Sequence, residues 1–209
     1  MKVIVFGATG SVGKLAVELL LAEGHQVTAF ARNPKSSGVS SQNLTLFAGD
    51  ALDGPTVAAA VKGHDTVVVA LGSGTSRKGS IRSRGTLNII QAMQAHGVSR
   101  LICQSTLGAH ESWSNLNFFW KRIMFGFLLR PVFLEHELQE NLVRASGLDW
   151  TLVRPGAFTN GPASGAFKEN FKPSERNLTL KISRADVAEF LKRQISDKSY
   201  LHRAVAISN

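Results

Sequence analysis

Short apolar runs alternate along the chain with stretches of helical period. Residues 3–6 (Val-Ile-Val-Phe) are uninterrupted apolar positions, the pattern of a strand covered on both faces. Residues 12–22 follow as a helix, 27–31 as a second strand and 44–48 as a third. Residues 56–62 read as a helix ended by Gly63, and 65–71 enclose Thr66-Val67-Val68-Val69, a fourth buried strand. Residues 84–96 form a helix closed by Gly97, and 100–104 the fifth strand. A helix over 136–146 stops at Gly147 and leads to a sixth strand at 150–154. A Gly/Pro/Ser-rich loop spans 155–165. Ser183-Arg184-Ala185-Asp186 opens a helix to about residue 195 with an arrangement related to a capping box, and 204–207 is a final short strand. This alternation predicts an α/β fold: a doubly wound, mainly parallel sheet with helices on both faces, in one domain over residues 1–209. Residues 107–131 fit no period. Trp113, Phe118, Phe119 and Trp120 there are either core of an irregular helix pair or a lid over a planar substrate.

Composition narrows the function classes. The 209 residues are 44% hydrophobic and 19% charged, an ordinary globular profile. The single cysteine, Cys103, forbids an internal disulfide, fits a reducing cytoplasm and reads as a buried thiol of the fifth strand. The run at 3–6 is too short for a signal-peptide core, and the apolar stretch 123–129, flanked by Lys121, Arg122 and Arg130, is too short for a membrane span. The formal charge of +9 is scattered, with no nucleic-acid-binding signature, so no nucleic acid is expected and an anionic small ligand accounts for it. The six histidines show no metal-ligand spacing, so no metal is expected; Glu135-His136-Glu137 point different ways on a helix.

The chemistry concentrates in Gly7-Ala8-Thr9-Gly10-Ser11-Val12-Gly13, between the first strand and the first helix. One glycine permits the tight turn, a second lets the backbone approach a pyrophosphate, and a third lets the helix pack close to the strand. The anion then meets the helix N-terminus. At the end of the second strand, where many dinucleotide sites carry a carboxylate for the ribose hydroxyls, the chain reads Ala31-Arg32-Asn33-Pro34-Lys35. Arg32 suits a 2′-phosphate and Lys35 a second cation, which favours NADP(H); a solvated loop arginine is the alternative. Gly49-Asp50 would lie beside the adenine, or Asp50 serves as a turn residue. Leu71-Gly72-Ser73-Gly74 brings backbone close to the cofactor. Arg77, Lys78, Arg82 and Arg84 form a basic cluster beyond it.

These residues, with Ala95-His96-Gly97-Val98, Ser146-Gly147-Leu148-Asp149-Trp150-Thr151-Leu152-Val153-Arg154-Pro155-Gly156 and Ser183-Arg184-Ala185-Asp186-Val187-Ala188, resemble the atypical short-chain dehydrogenase/reductase superfamily. The nearer likeness is to its NAD(P)H-binding group of flavin-reductase and biliverdin-reductase-B type, over nearly the whole chain. The resemblance implies a Rossmann-like domain with a small C-terminal substrate-side region, working as a monomer or weak dimer. It implies cofactor contacts from Gly7, Thr9, Gly10, Ser11, Val12, Gly13, Arg32, Lys35, Asp50, Ala51, Leu71, Gly72, Arg82, Gln104, His136, Pro155, Gly156, Ala157 and Phe158. It places Ser105 and Thr106 beside the nicotinamide, with Thr106 at the position of the group's active-site serine.

One departure directs the chemistry. The Tyr-x-x-x-Lys pair of typical short-chain dehydrogenases cannot form, because the only tyrosine is Tyr200. No Gly-x-Ser-x-Gly elbow is present for a hydrolase either. The expected function is NADPH-dependent hydride transfer to an anionic planar acceptor such as a flavin or bilin. The alternatives are an NADP(H)-sensing regulator of the NmrA type and a sugar-nucleotide or isoflavone-type reductase, the last disfavoured by the missing pair.

Overall fold

The computed structural model describes residues 1–72 and 79–209. The readings on Ser73, Gly74, Arg77 and Lys78 therefore lie outside the described residues. Strands β1 (Lys2–Phe6), β2 (Gln26–Ala31), β3 (Leu44–Ala48), β4 (Thr66–Val69), β5 (Arg100–Gln104), β6 (Asp149–Pro155), β7 (Ala157–Thr159), β8 (Lys168–Glu169), β9 (Lys181–Ser183) and β10 (Arg203–Ser208) alternate with helices. The helices are α1 (Gly13–Ala22), α2 (Gly54–Val61), α3 (Ile81–His96), α4 (Arg130–Arg144) and α5 (Arg184–Arg193). The large sheet has the order β3-β2-β1-β4-β5-β6-β10-β8. It is parallel except for β8, which caps the β10 edge antiparallel. β7 and β9 pair separately.

Side chains alternate across the strands, so each central strand feeds two cores. Ile4 and Phe6 of β1 pack with Val67, Val69 and Leu101 under α2, α3 and α4. Val3 and Val5 pack with Val27, Val68, Ile102 and Val153 under α1 and α5. This is the expected Rossmann-like architecture with helices on both faces. A third cluster, built on Leu107, Leu116, Phe125, Phe133 and Leu180, lies beyond β5 and β6.

The differences from the expected elements are local. α4 begins at Arg130, six residues before the expected start, because Pro131 occupies the first turn, where a missing N–H costs nothing. The irregular stretch contains a 3-10 turn (His110–Asn115) and a π-helical segment (Phe119–Leu128). Ser183 caps α5 by accepting from the Asp186 N–H at 3.0 Å. Asp186 does not bond back to the cap backbone as in a capping box. Its carboxylate accepts from Ser183 Oγ at 2.7 Å and from the N–H groups of Ser164 and Gly165 at 2.8 and 2.9 Å, tying the loop after β7 to α5. Among the described residues no helix is long and apolar enough to cross a membrane.

Candidate functional site

In an open parallel sheet the crevice forms beyond the carboxyl ends of the strands, where the order reverses. Here β1 lies between β2 and β4, and a cleft of about 740 Å³ runs across the strand ends from Gly49 and Asp50 after β3 to Pro155 and Gly156 at β6. Every residue expected to touch the cofactor or to stand beside the nicotinamide lines this cleft, except Gly13 and Lys35.

The glycine loop owes its shape to three close approaches. Gly7 has φ +83°, and a Cβ there would stand 2.3 Å from the Ala70 carbonyl oxygen. A Cβ on Gly13 would stand 2.2 Å from the Gly7 carbonyl oxygen, so Gly13 sets the packing of α1 on β1 and does not face the cleft. Gly10 lines the cleft, with a Cβ position 3.1 Å from the same oxygen. Its N–H bonds to Gly7 O at 2.9 Å. Gly10, Ser11 and Val12, which lead into α1, thus open on the cleft, and among the described residues no side chain caps the first N–H groups of the helix.

Arg32 lines both the main cleft and a side groove formed with Thr9, Asn33 and Ser36. Lys35 lies in the 3-10 turn Pro34–Ser37 and lines neither. The cause is the three-residue period of that turn: positions 33 and 36 share the groove face, Pro34 and Ser37 face inward, and Lys35 is left to solvent. Beside Arg32 the groove is lined by the polar side chains of Asn33 and Ser36 and not by Lys35. Asp50 spends Oδ1 on its own turn, accepting from the Leu52 N–H at 2.9 Å, while still lining the cleft.

At the β5 and β6 end, Gln104, Ser105 and Thr106 leave the sheet edge. The Ser105 N–H donates to Val153 O at 2.7 Å and the Leu107 N–H to Pro155 O at 2.9 Å, which fixes the pair beside β6. The Thr106 hydroxyl donates to Leu107 O at 3.3 Å. Gln104 Oε1, Ser105 Oγ and His136 Nδ1 are buried and have no hydrogen-bond partner among the described residues. Buried polar atoms are normally paired, so three orphans lining one cleft fit a polar ligand there. Burial first, and then the charge of Arg82, lower the pKa of His136 to about 3. His136 is therefore a neutral imidazole at physiological pH. The thiol of Cys103 is buried in the core and pushed far up by burial and by Glu140, which agrees with an inert core cysteine. Tyr200 does not line the cleft; its hydroxyl bonds to Glu169 Oε1 at 3.2 Å.

Sequence reasoning missed several contributors. Leu116, Phe125, Leu129 and Leu180, joined by Trp120 from the aromatics left open between core and lid, make the end beyond β6 apolar. The open question about the aromatics divides: Trp113 packs on Phe133 at 5.2 Å, Trp120 lines the cleft, and Phe118 and Phe119 are exposed. Arg184 was also missed. Its Nε donates to Ser11 Oγ at 3.0 Å and its terminal nitrogen to Asn160 Oδ1 at 2.7 Å, with the guanidinium over the Phe158 ring. A cation at the first position of a helix opposes the helix dipole, and that misfit was the available signal. Behind the cleft, Arg154 is 1% exposed and forms a two-pronged pair with Glu140, Nε to Oε1 at 2.8 Å and the terminal nitrogen to Oε2 at 2.6 Å. Arg154 also reaches Glu111 at 2.9 Å.

Comparison with known proteins agrees with this geometry. The NAD(P)H-binding family profile matches residues 7–198. A Bacillus subtilis protein named as an uncharacterized sugar epimerase, YhfK, is 29% identical, the match covering 98% of this chain and 92% of that one. The structure of ChuY from Escherichia coli O157:H7, described as an anaerobilin reductase, superposes with a TM-score of 0.82 at 26% identity, covering 99% and 96% of the two chains. A short-chain dehydrogenase/reductase from Veillonella parvula in complex with NADP gives a TM-score of 0.83 at 17% identity over 100% and 94%, which speaks for the fold alone. On the glycine loop, the cleft and these likenesses together, the chain belongs to the NAD(P)H-binding family.

Proposed function

We propose that the chain is a reductase that takes NADPH and transfers a hydride to a planar, conjugated, anionic acceptor of flavin or bilin type. The observation that carries this reading is the make-up of the cleft. Its described ionisable residues are Arg32, Asp50, Arg82 and His136, and His136 is held neutral. Among its described residues the cleft has no tyrosine, lysine or cysteine to act as a proton donor. A carbonyl or alcohol substrate needs such a donor. A flavin or bilin takes a hydride at an electrophilic centre and its proton from solvent.

NADPH would supply the hydride. The residues supply position. Gly10 and Ser11, at the start of α1, would hold the diphosphate, with Arg184 fixing the Ser11 hydroxyl. Arg32, with Asn33 and Ser36, would hold the 2′-phosphate. Gln104, Ser105 and His136 would satisfy their unpaired atoms on the nicotinamide side, and Thr106 would orient the acceptor. Trp120, Phe125 and Leu180 would exclude water from the acceptor's face.

The likeness to ChuY supports a bilin among the acceptors. The name of the YhfK relative suggests sugar epimerisation, but the cleft offers no tyrosine for it, since Tyr200 lies elsewhere. Steady-state NADPH oxidation, followed by absorbance with and without added flavin, tests the proposal. Flavin-dependent oxidation is expected. NADPH binding without oxidation for any flavin, bilin or quinone would favour a cofactor-sensing regulator instead.

A further inference from the structure

We propose that Phe118 and the π-helical segment Phe119–Leu128 form a membrane-surface anchor that seats the mouth of the cleft on an anionic lipid bilayer. The segment is apolar on two sides. Trp120 and Phe125 face the cleft. On the outside Phe118 is 73% exposed, Phe119 50%, Ile123 42% and Phe127 78%. Phe119, Ile123 and Phe127 recur every four residues, which gathers them in one stripe of a helix wound with more than four residues per turn. Scattered exposed apolar residues are ordinary, but a contiguous aromatic stripe marks an interaction site.

Charge identifies the occupant. From Leu116 to Leu134 the chain carries Lys121, Arg122 and Arg130 and no Asp or Glu, within a molecule of formal charge +9. Arg122 and Arg130 are exposed beside the stripe. Aromatic and aliphatic side chains flanked by cations are the composition of a helix lying in a lipid interface, where anionic headgroups attract each nearby cation. The segment is far too short to span. A second copy of this chain fits less well. A two-fold contact sets a patch against itself, which would gather Arg122 and Arg130 of both copies at one interface with no carboxylate in the segment to pair them. The proposal rests on exposure and charge and does not depend on the reductase reading.

Co-sedimentation of the full chain with phosphatidylcholine vesicles, and with vesicles that also contain phosphatidylglycerol, tests it. Each cation near an anionic surface is worth about five-fold in partition, so the two exposed arginines should favour the anionic vesicles about 25-fold at low salt. Phe118→Ser with Phe127→Ser should cut binding to anionic vesicles about ten-fold or more, and Arg122→Glu should cut it comparably. Melting temperature and NADPH affinity should not change, because none of these residues lines the cleft. Three results would overturn the proposal: no partition onto anionic vesicles, partition unaffected by the double variant, or a dimer in analytical ultracentrifugation that the double variant dissociates.

Discussion

His136 is a buried imidazole with Nδ1 unpaired and its pKa lowered to about 3, so it is neutral in the folded protein at pH 7. In the unfolded chain the same group titrates near its ordinary value of about 6.5. Its folded pKa is the lower one, so the unfolded state binds more protons between these values. The contribution to stability is fully present above pH 6.5 and is lost as pH falls towards 3, at roughly 1 kcal/mol per unit. Denaturant unfolding at pH 7 and at pH 5 should show this loss, and His136→Gln should flatten the slope. An unchanged slope in the variant would mean that the imidazole is not held neutral. Arg32 makes a different kind of claim. If it binds the 2′-phosphate, Arg32→Ala should weaken NADPH by about 10- to 150-fold, the value of one charge-assisted contact, and leave NADH little altered; calorimetric titration of both cofactors checks it. Equal affinities for NADPH and NADH in the unmutated protein would remove that role. Among the described residues, Ser105 and Thr106 have no charged base as a hydrogen-bond partner. Thr106→Ala and Ser105→Ala should each lower flavin turnover by only about ten-fold, or about 1.4 kcal/mol. A loss of about 100- to 10,000-fold at either position would make it a proton carrier.

At the scale of elements, the Arg154–Glu140 pair fixes β6 to α4 just before Pro155 and Gly156 enter the cleft. Glu140→Ala would leave a buried guanidinium with, among the described residues, only the half-exposed Glu111 as a carboxylate partner and should cost about 3–5 kcal/mol of unfolding free energy. A loss below about 1 kcal/mol would show that Arg154 finds water instead. The same elements show what the sequence discloses. β1 and β4 were legible because a strand buried on both faces reads as an unbroken apolar run, β2, β5 and β6 because short, mostly apolar stretches stand between turn signals, and the glycine loop because it stands directly between an apolar run and a helical period. The start of α4 was hidden by Pro131, which reads equally as a breaker and as a first-turn residue. The π-helical segment was hidden because apolar side chains on two faces leave no single period to find. β7, β8 and β9 are two or three residues long, below what alternation can reveal. Ser11 and Arg184 are bonded but lie 173 positions apart, so only the folded chain brings them together.

The whole molecule reads as two walls meeting over one crevice. The carboxyl ends of the strands supply the glycine loop, Arg32, Gln104 and Ser105, with His136 added from α4, while residues beyond β5 and β6 supply the apolar wall. Of the first wall, the glycine loop and Arg32 were readable from local motifs, and Gln104, Ser105 and His136 only through the family resemblance. The second comes from Leu116, Trp120, Phe125, Leu129 and Leu180, which carry no motif and meet only through the third hydrophobic cluster. The division between a phosphate-binding side and an apolar side is what makes reduction of a planar acceptor the central claim. A single-turnover experiment tests it most directly: protein loaded with NADPH is mixed, without oxygen, with a flavin or a bilin, and both absorbances are followed together. The account predicts that NADPH loss and acceptor reduction share one rate and one stoichiometry, one cofactor per acceptor. Acceptor binding that leaves the NADPH absorbance unchanged, for flavin and bilin alike, would contradict it.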